Sequence, residues 1–283
     1  MRRADLFFGL PLLTGLLLAG CGSSPKPPPE PRLRLQAQEA EASGVRRHGQ
    51  GDYKAAARHF AESARLRLSL DDVAAASRNR LQLAQSELAL GQAESALEHA
   101  SQVHEDSLQV QALLLQAQAQ LALGREDAVK PVLARLASLC AASSCSERGR
   151  LLLLQARAAW AGGDAALALT QAEAALPFLR AQQEEREIAN AWRLIAVARL
   201  KTADTVAALA AARAALEIDR QLALPEKIAR DWLLIGDIAR RAGKEGSQSE
   251  AQSAYLRAQS VAQAAGLQEL VTLAAKALME STQ

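Results

Sequence analysis

Aromatic side chains are scarce in this chain, at 3% of 283 residues, and Val, Ile and Thr are sparse as well. These residues favour strands, so their scarcity excludes a β-rich core. Charge of one sign is missing too: 33 Lys+Arg stand against 31 Asp+Glu, a net charge of +2. Nucleic-acid binding wants a clearly basic domain, and nothing here supplies one. No Gly-rich phosphate loop follows a strand, and no G-x-S-x-G elbow occurs. The histidines are His48, His59, His99 and His104. The last two stand five apart and do not share a helix face. Adjacent carboxylates such as Asp71-Asp72 and Glu184-Glu185 fall at helix starts or on charged faces. Asp71-Asp72 before Val73 reads as an N-cap. These absences leave no constellation able to run chemistry. The sequence implies no enzyme, no metal and no cofactor.

What is present begins at the N-terminus. Met1-Arg2-Arg3 is basic, and Leu6 to Leu18 is almost wholly apolar. At about 13 residues this run is too short for a membrane span and fits the h-region of a secretory signal. Leu18-Ala19-Gly20-Cys21 resembles a bacterial lipobox at every position. The resemblance implies cleavage before Cys21 and lipidation of its sulfur and new amino group. Several acyl chains anchor firmly where one is marginal. Ser23 to Pro31, SSPKPPPEP, follows. Such a segment is extended, at about 3.1 Å per residue, and would hold a folded body off the bilayer. Residue 22 is Gly and not Asp. By resemblance to lipoproteins of Gram-negative cells, this sends the chain to the outer membrane, facing the periplasm. Removal of residues 1–20 leaves 31 Lys+Arg and 30 Asp+Glu. The expected organisation is therefore a signal peptide at 1–20, a lipidated Cys and tether at 21–34, and a folded body at 35–283.

The body is crowded with Ala, Leu, Gln, Arg and Glu, all good helix formers. It repeats. Gly51-Asp52, Gly91-Gln92, Gly124-Arg125, Gly163-Asp164, Ala203-Asp204 and Gly243-Lys244 mark turns at intervals of 40, 33, 39, 40 and 40. Alanine recurs five residues past the turn at Ala56, Ala96, Ala168 and Ala208. In the third unit Ala128 comes one residue early, and in the sixth Ala251 follows an insertion around Gly246-Ser247. Trp192 and Trp232 also stand 40 apart, at positions that read as core. Trp232…Ile235-Gly236, Gly51-Asp52-Tyr53…Ala56…Phe60 and Ala208…Ala215-Leu216-Glu217-Ile218-Asp219 resemble tetratricopeptide (TPR) repeats. The resemblance covers about residues 36 to 262. It implies an all-α, right-handed superhelical solenoid of about six helix pairs. Leu267 to Met279 reads as a closing amphipathic helix, with Leu270, Leu273, Ala274, Ala277 and Leu278 on its apolar side. The departure is the period, usually 34. An extra helical turn or a longer loop between units would explain it, and HEAT-like repeats of about 40–47 residues are the rival reading.

Cys140 and Cys145 fall between the third and fourth units. In an oxidising compartment two thiols so close would pair, a short-loop staple worth about 2 kcal/mol. Free buried thiols and zinc are the alternatives. In a TPR stack the first helix of each pair lines the concave face. That places Arg78 and Gln85, Gln111 and Gln118, then Arg150, Arg157 and Trp160, inward. Asn190, Arg193, Arg230, Asp237 and Arg240 follow in the fifth and sixth units. Arg grips carboxylates with a bidentate fork, so this groove would bind an acidic or extended peptide, a free C-terminal carboxylate included. Trp160 would serve as aromatic anchor. The competing reading is that these arginines only solvate helix faces. The expected function is a lipid-anchored periplasmic scaffold that docks an envelope protein. The alternatives are a regulator of a periplasmic protease or cell-wall synthase, a pilotin or assembly factor for an outer-membrane machine, and a spacer without a specific partner. The longer period counts against the pilotin.

Overall fold

The computed structural model describes residues 31–141, 145–243 and 247–281. Cys21 and most of the proline-rich segment lie outside the described residues. Among those described there is no strand. Helices pair in chain order: α1 (Arg32–Gly49) with α2 (Tyr53–Ser69), α3 (Val73–Ala89) with α4 (Ala93–Ser101), and α5 (Gln109–Ala122) with α6 (Glu126–Leu139). The series continues with α7 (Arg148–Ala161) and α8 (Ala165–Ala181), α9 (Glu185–Lys201) and α10 (Thr205–Gln221), and α11 (Pro225–Ala242) and α12 (Ser247–Ala264). A last helix, α13 (Gln268–Glu280), packs on α12 and closes the stack. The six pairs and the closing helix are those read from the repeat. None of the described helices is long and apolar enough to cross a membrane.

The period now has a structural cause. α2, α3, α8, α9 and α10 are each 17 residues long. Where turns between units occupy only 70–72, 182–184 and 222–224, two such helices and two three-residue turns make up 40 residues. Added helix length stretches these repeats, whereas the interval of 39 pairs two 14-residue helices, α6 and α7, with the longer connection 140–147. The short interval of 33 arises because α4 has only 9 residues. Each turn within a pair bends through a left-handed backbone residue: Gly51, Gly91, Gly124, Gly163, Ala203 or Gly243. Asp52, Asp72, Asp164 and Asp204 then cap the next helix, each accepting a backbone N–H three residues on. Asp72 is thus the cap, while its neighbour Asp71 takes the left-handed turn position.

Small residues set the distance between helices. Seven positions before each turn, the first helix carries Gly44, Ala84, Ala117, Ala156, Ala196 or Gly236, and all six are buried. Five positions after the turn, Ala56, Ala96, Val129, Ala168 and Ala208 are buried, and the insertion moves the sixth to Ala251. The third unit therefore uses Val129 at 1% exposure, and Ala128, the residue expected there, faces solvent. A β-carbon added to Gly44 would come within 2.7 Å of the Phe60 ring, and one on Gly236 would collide still more closely with the Tyr255 ring.

Other expectations shift in detail. Leu273 of α13 is exposed, and Leu270 and Ala274 face the core. Trp192 and Trp232 are half-buried against the core rather than enclosed. Arg180 lies over the Trp192 ring at 5.8 Å, and Arg220, 40 residues on, lies over Trp232 at 5.2 Å. This repeated stack lets a long cation cover an aromatic edge. The broadest continuous core runs from α7 to α12. Toward the N-terminus the clusters are small, and buried polar contacts supplement them. Ser63 donates to the Ala37 carbonyl at 2.9 Å, and His99 meets Glu87 at 2.8 Å.

Replacing Gly236 by Ala is expected to overpack the α11–α12 crossing. A urea titration should read a loss of about 1–3 kcal/mol. An unchanged midpoint would mean that Tyr255 moves aside freely.

Candidate functional site

Successive first helices touch one another: α3 with α5, α5 with α7, α7 with α9 and α9 with α11. Successive second helices make no comparable contact, so the first helices form the inner, concave wall. Curvature is tight enough that four units reach one cavity of about 570 Å³. Leu121 of α5, Arg157 and Trp160 of α7, Asn190 and Arg193 of α9, and Lys227 and Leu234 of α11 line it. A second cavity of about 480 Å³ adjoins it through Trp160, Val197 and Leu234. Leu121, Trp160, Val197 and Leu234 thus form an apolar stripe across the repeats. Trp160 is 37% exposed there.

Three cations line the larger cavity, and no carboxylate does. Their states differ. Arg193 is fully engaged: it donates to Asp231 at 2.6 Å, to Asn190 at 2.6 Å and to Asp219. Asp219 and Asp231 are 1% and 0% exposed. Arg193 therefore fixes α9 to α10 and α11, and its charge is already answered. Burial pushes the Asp231 carboxyl up to about 7, against the pull of Arg193 and with help from a hydrogen bond to Asp219. Arg157 and Lys227 have no ion-pair partner among the described residues. Arg157 keeps solvent-accessible surface, yet crowding by the curved wall strips enough water to lower its pKa, which nearby Glu187 only partly restores. Lys227 is lowered by burial first and then by the Arg193 charge. Both cations would gain from an anion.

The remaining expected groove residues lie on first helices but do not line this cavity. Arg150 donates to Glu184 at 2.7 Å and to Glu147 at 3.3 Å. Arg230 is paired with Glu226 at 2.9 Å, four residues back on its own helix. Arg240 stands 3.9 Å from Asp237. Arg78 and Gln85 are exposed on α3, and Gln111 on α5. The expected cationic groove thus narrows to Arg157, Trp160, Asn190 and Arg193. Lys227 completes it, one helical turn beyond the register that the repeat singles out; its position one turn before Arg230 on α11 is the signal that finds it. Cys140 and Cys145 are disulfide-bonded with Sγ atoms 2.07 Å apart. Cys140 sits in the core that joins α5, α6 and α7, away from the cavity.

No family model matches the sequence, and no curated protein matches it. Solved structures do match in shape. RapI in its apo form aligns over 88% of this chain and 70% of its own, at TM-score 0.62 and 13% identity. A Rap protein complexed with competence and sporulation factor aligns over 88% of this chain and 75% of its own, at TM-score 0.63 and 11% identity. Aspartyl phosphate phosphatase F from Bacillus subtilis aligns over 89% and 71%, at TM-score 0.58 and 12% identity. The chain has the TPR-like helical solenoid fold. At these identities the likeness shows the fold alone.

Arg193→Ala should cost about 3–5 kcal/mol in denaturant, because it strands two buried carboxylates. Arg157→Ala should change stability by no more than about 0.5 kcal/mol. Equal losses would contradict the division between a structural and a free cation. A carboxyl whose folded pKa stands above its unfolded value stabilises fully below the unfolded value, near 3.8, and that contribution fades as pH rises to about 7. The wild-type melting temperature should therefore fall more steeply between pH 5 and 8 than that of Asp231→Asn.

Proposed function

We propose that the chain is a non-catalytic adaptor, tethered by lipid on Cys21 to the periplasmic side of the outer membrane. It docks an acidic segment of an envelope protein in its concave groove. The observation that carries this reading is the cavity that joins α5, α7, α9 and α11. It presents two cations without carboxylate partners beside an exposed indole, and no acid lines it. A folded protein rarely leaves partly desolvated cations unanswered without a use for them. The apolar stripe beside them gives a partner side chain somewhere to lose water, and an aromatic anchor is a common centre of such contacts. A Rap protein of similar fold is complexed with competence and sporulation factor, so a solenoid of this shape can hold a binding partner. The anchor rests on the lipobox resemblance at 18–21 and the prolines that follow it.

Two changes separate the halves of this reading. Cys21→Ser should move the chain from the membrane fraction to the soluble envelope fraction. Arg157→Glu with Lys227→Glu should lose the partner that wild type retains after in-cell crosslinking and pull-down, while a melting curve shows the fold intact. The same partners in both proteins would remove the groove from the account. A Cys21→Ser chain still in membranes would remove the anchor.

A further inference from the structure

Beneath the cavity lies a charge imbalance that docking alone does not explain. Asp219 of α10 and Asp231 of α11 both accept from the single guanidinium of Arg193. Two buried carboxylates and one guanidinium leave one negative charge over. An uncompensated buried charge is costly, and a carboxyl so placed takes a proton instead. Oδ2 of Asp231 has no hydrogen-bond partner, so it is the oxygen with room for that proton. The carboxyl of Asp219 is close enough to accept it. The charged groups that act on Asp231 are Arg193 from α9 and Asp219 from α10. Lys227, earlier on α11, feels both Asp219 and Arg193, and Arg157 of α7 lines the cavity that Arg193 and Lys227 share.

We propose that the Asp219–Asp231 pair holds one exchangeable proton beneath Arg193, and that docking of an acidic group in the cavity draws this proton in from solvent. The inference rests on the reading of the cavity as an acidic-segment site. An anion placed near Arg157, Lys227 and Arg193 adds negative potential at the floor, which makes an ionised Asp231 harder to keep. A hydronium ion of the solvent gives its proton to Oδ2 of Asp231: one O–H bond of the hydronium breaks, the carboxyl O–H forms, and neutral water is left. By linkage the effect is reciprocal: the protonated floor binds the anion more tightly. Acidification therefore strengthens the grip, and a rise in pH loosens it.

The test uses the full chain in detergent micelles and a hexaglutamate peptide carrying a pH-insensitive rhodamine. The glutamates titrate well below the range studied. Wild type should bind about three- to tenfold more tightly at pH 6 than at pH 8, the size expected for one charge acting over several ångströms. Asp231→Asn should lose most of that slope. His48, His59, His99 and His104 are common to both proteins, so only the difference between them counts. Carboxyl 13C spectra of wild type supply a reading that needs no variant: one Asp signal should titrate near neutral pH. The same binding slope in both proteins, or no Asp signal titrating above pH 5, overturns the proposal. Binding without a slope removes the proton coupling and leaves the groove standing. No binding at any pH removes the acidic-segment reading and the coupling with it.

Discussion

Two helices that cross with only a hydrogen or a methyl group between them approach as closely as an α-hairpin allows, and the rest of this structure depends on that approach. Gly44, Ala84, Ala117, Ala156, Ala196 and Gly236 recur at the same place before each turn, and all are buried. Small residues recur after the turn as well. Because each crossing is narrow, a hairpin is thin, and a thin hairpin cannot bury its own apolar face. Stacking on the next hairpin is the solution. The large residues then work at the edges of the crossing. Phe60 and Tyr255, both fully buried, fill the space that Gly44 and Gly236 leave open.

From close stacking comes the concave wall. First helices touch first helices while second helices are spread on the outside, so the stack must curve inward. Curvature concentrates side chains from four units on one cavity and thins the water around them. Several arginines on this wall answer a carboxylate close at hand: Arg150 with Glu147 and Glu184, Arg230 with Glu226, Arg193 with two aspartates. Arg157 and Lys227 do not. The contrast separates arginines that hold the repeat together from cations that face the groove for something else. It also explains how a chain with near-zero net charge carries a cationic site.

Much of the fold was legible in the sequence because glycine and alanine have few reasons to recur every 40 residues except turns and crossings. The six pairs follow from that register, the closing helix from its apolar spacing, and the cap at Asp72 from the paired carboxylates before Val73. Ala128 misled because a one-residue offset looks like a slip, whereas Val129 keeps the true spacing and fits where an alanine stands elsewhere. Leu273 looked like core because a helix pattern alone does not say how wide a neighbour is. The site was legible in part. Arg157, Trp160, Asn190 and Arg193 share a cavity as their register implies. The sequence could not show which arginines are already paired. That depends on Asp219 and Asp231, which lie 26 and 38 residues from Arg193 and meet it only through stacking. Lys227 was missed for a related reason: it stands one turn before Arg230, the first position on α11 that the register singles out.

The most direct test of the central claim is site-specific photocrosslinking in cells. A benzoyl-phenylalanine at Val197, on the groove wall, is compared with one at Leu256, exposed on the second helix of the last pair. The account predicts a discrete crosslinked partner from Val197 that is absent from Leu256 and is lost on adding Arg157→Glu. A partner captured from Leu256 and not from Val197 would contradict it, and would move the working surface to the outside of the solenoid.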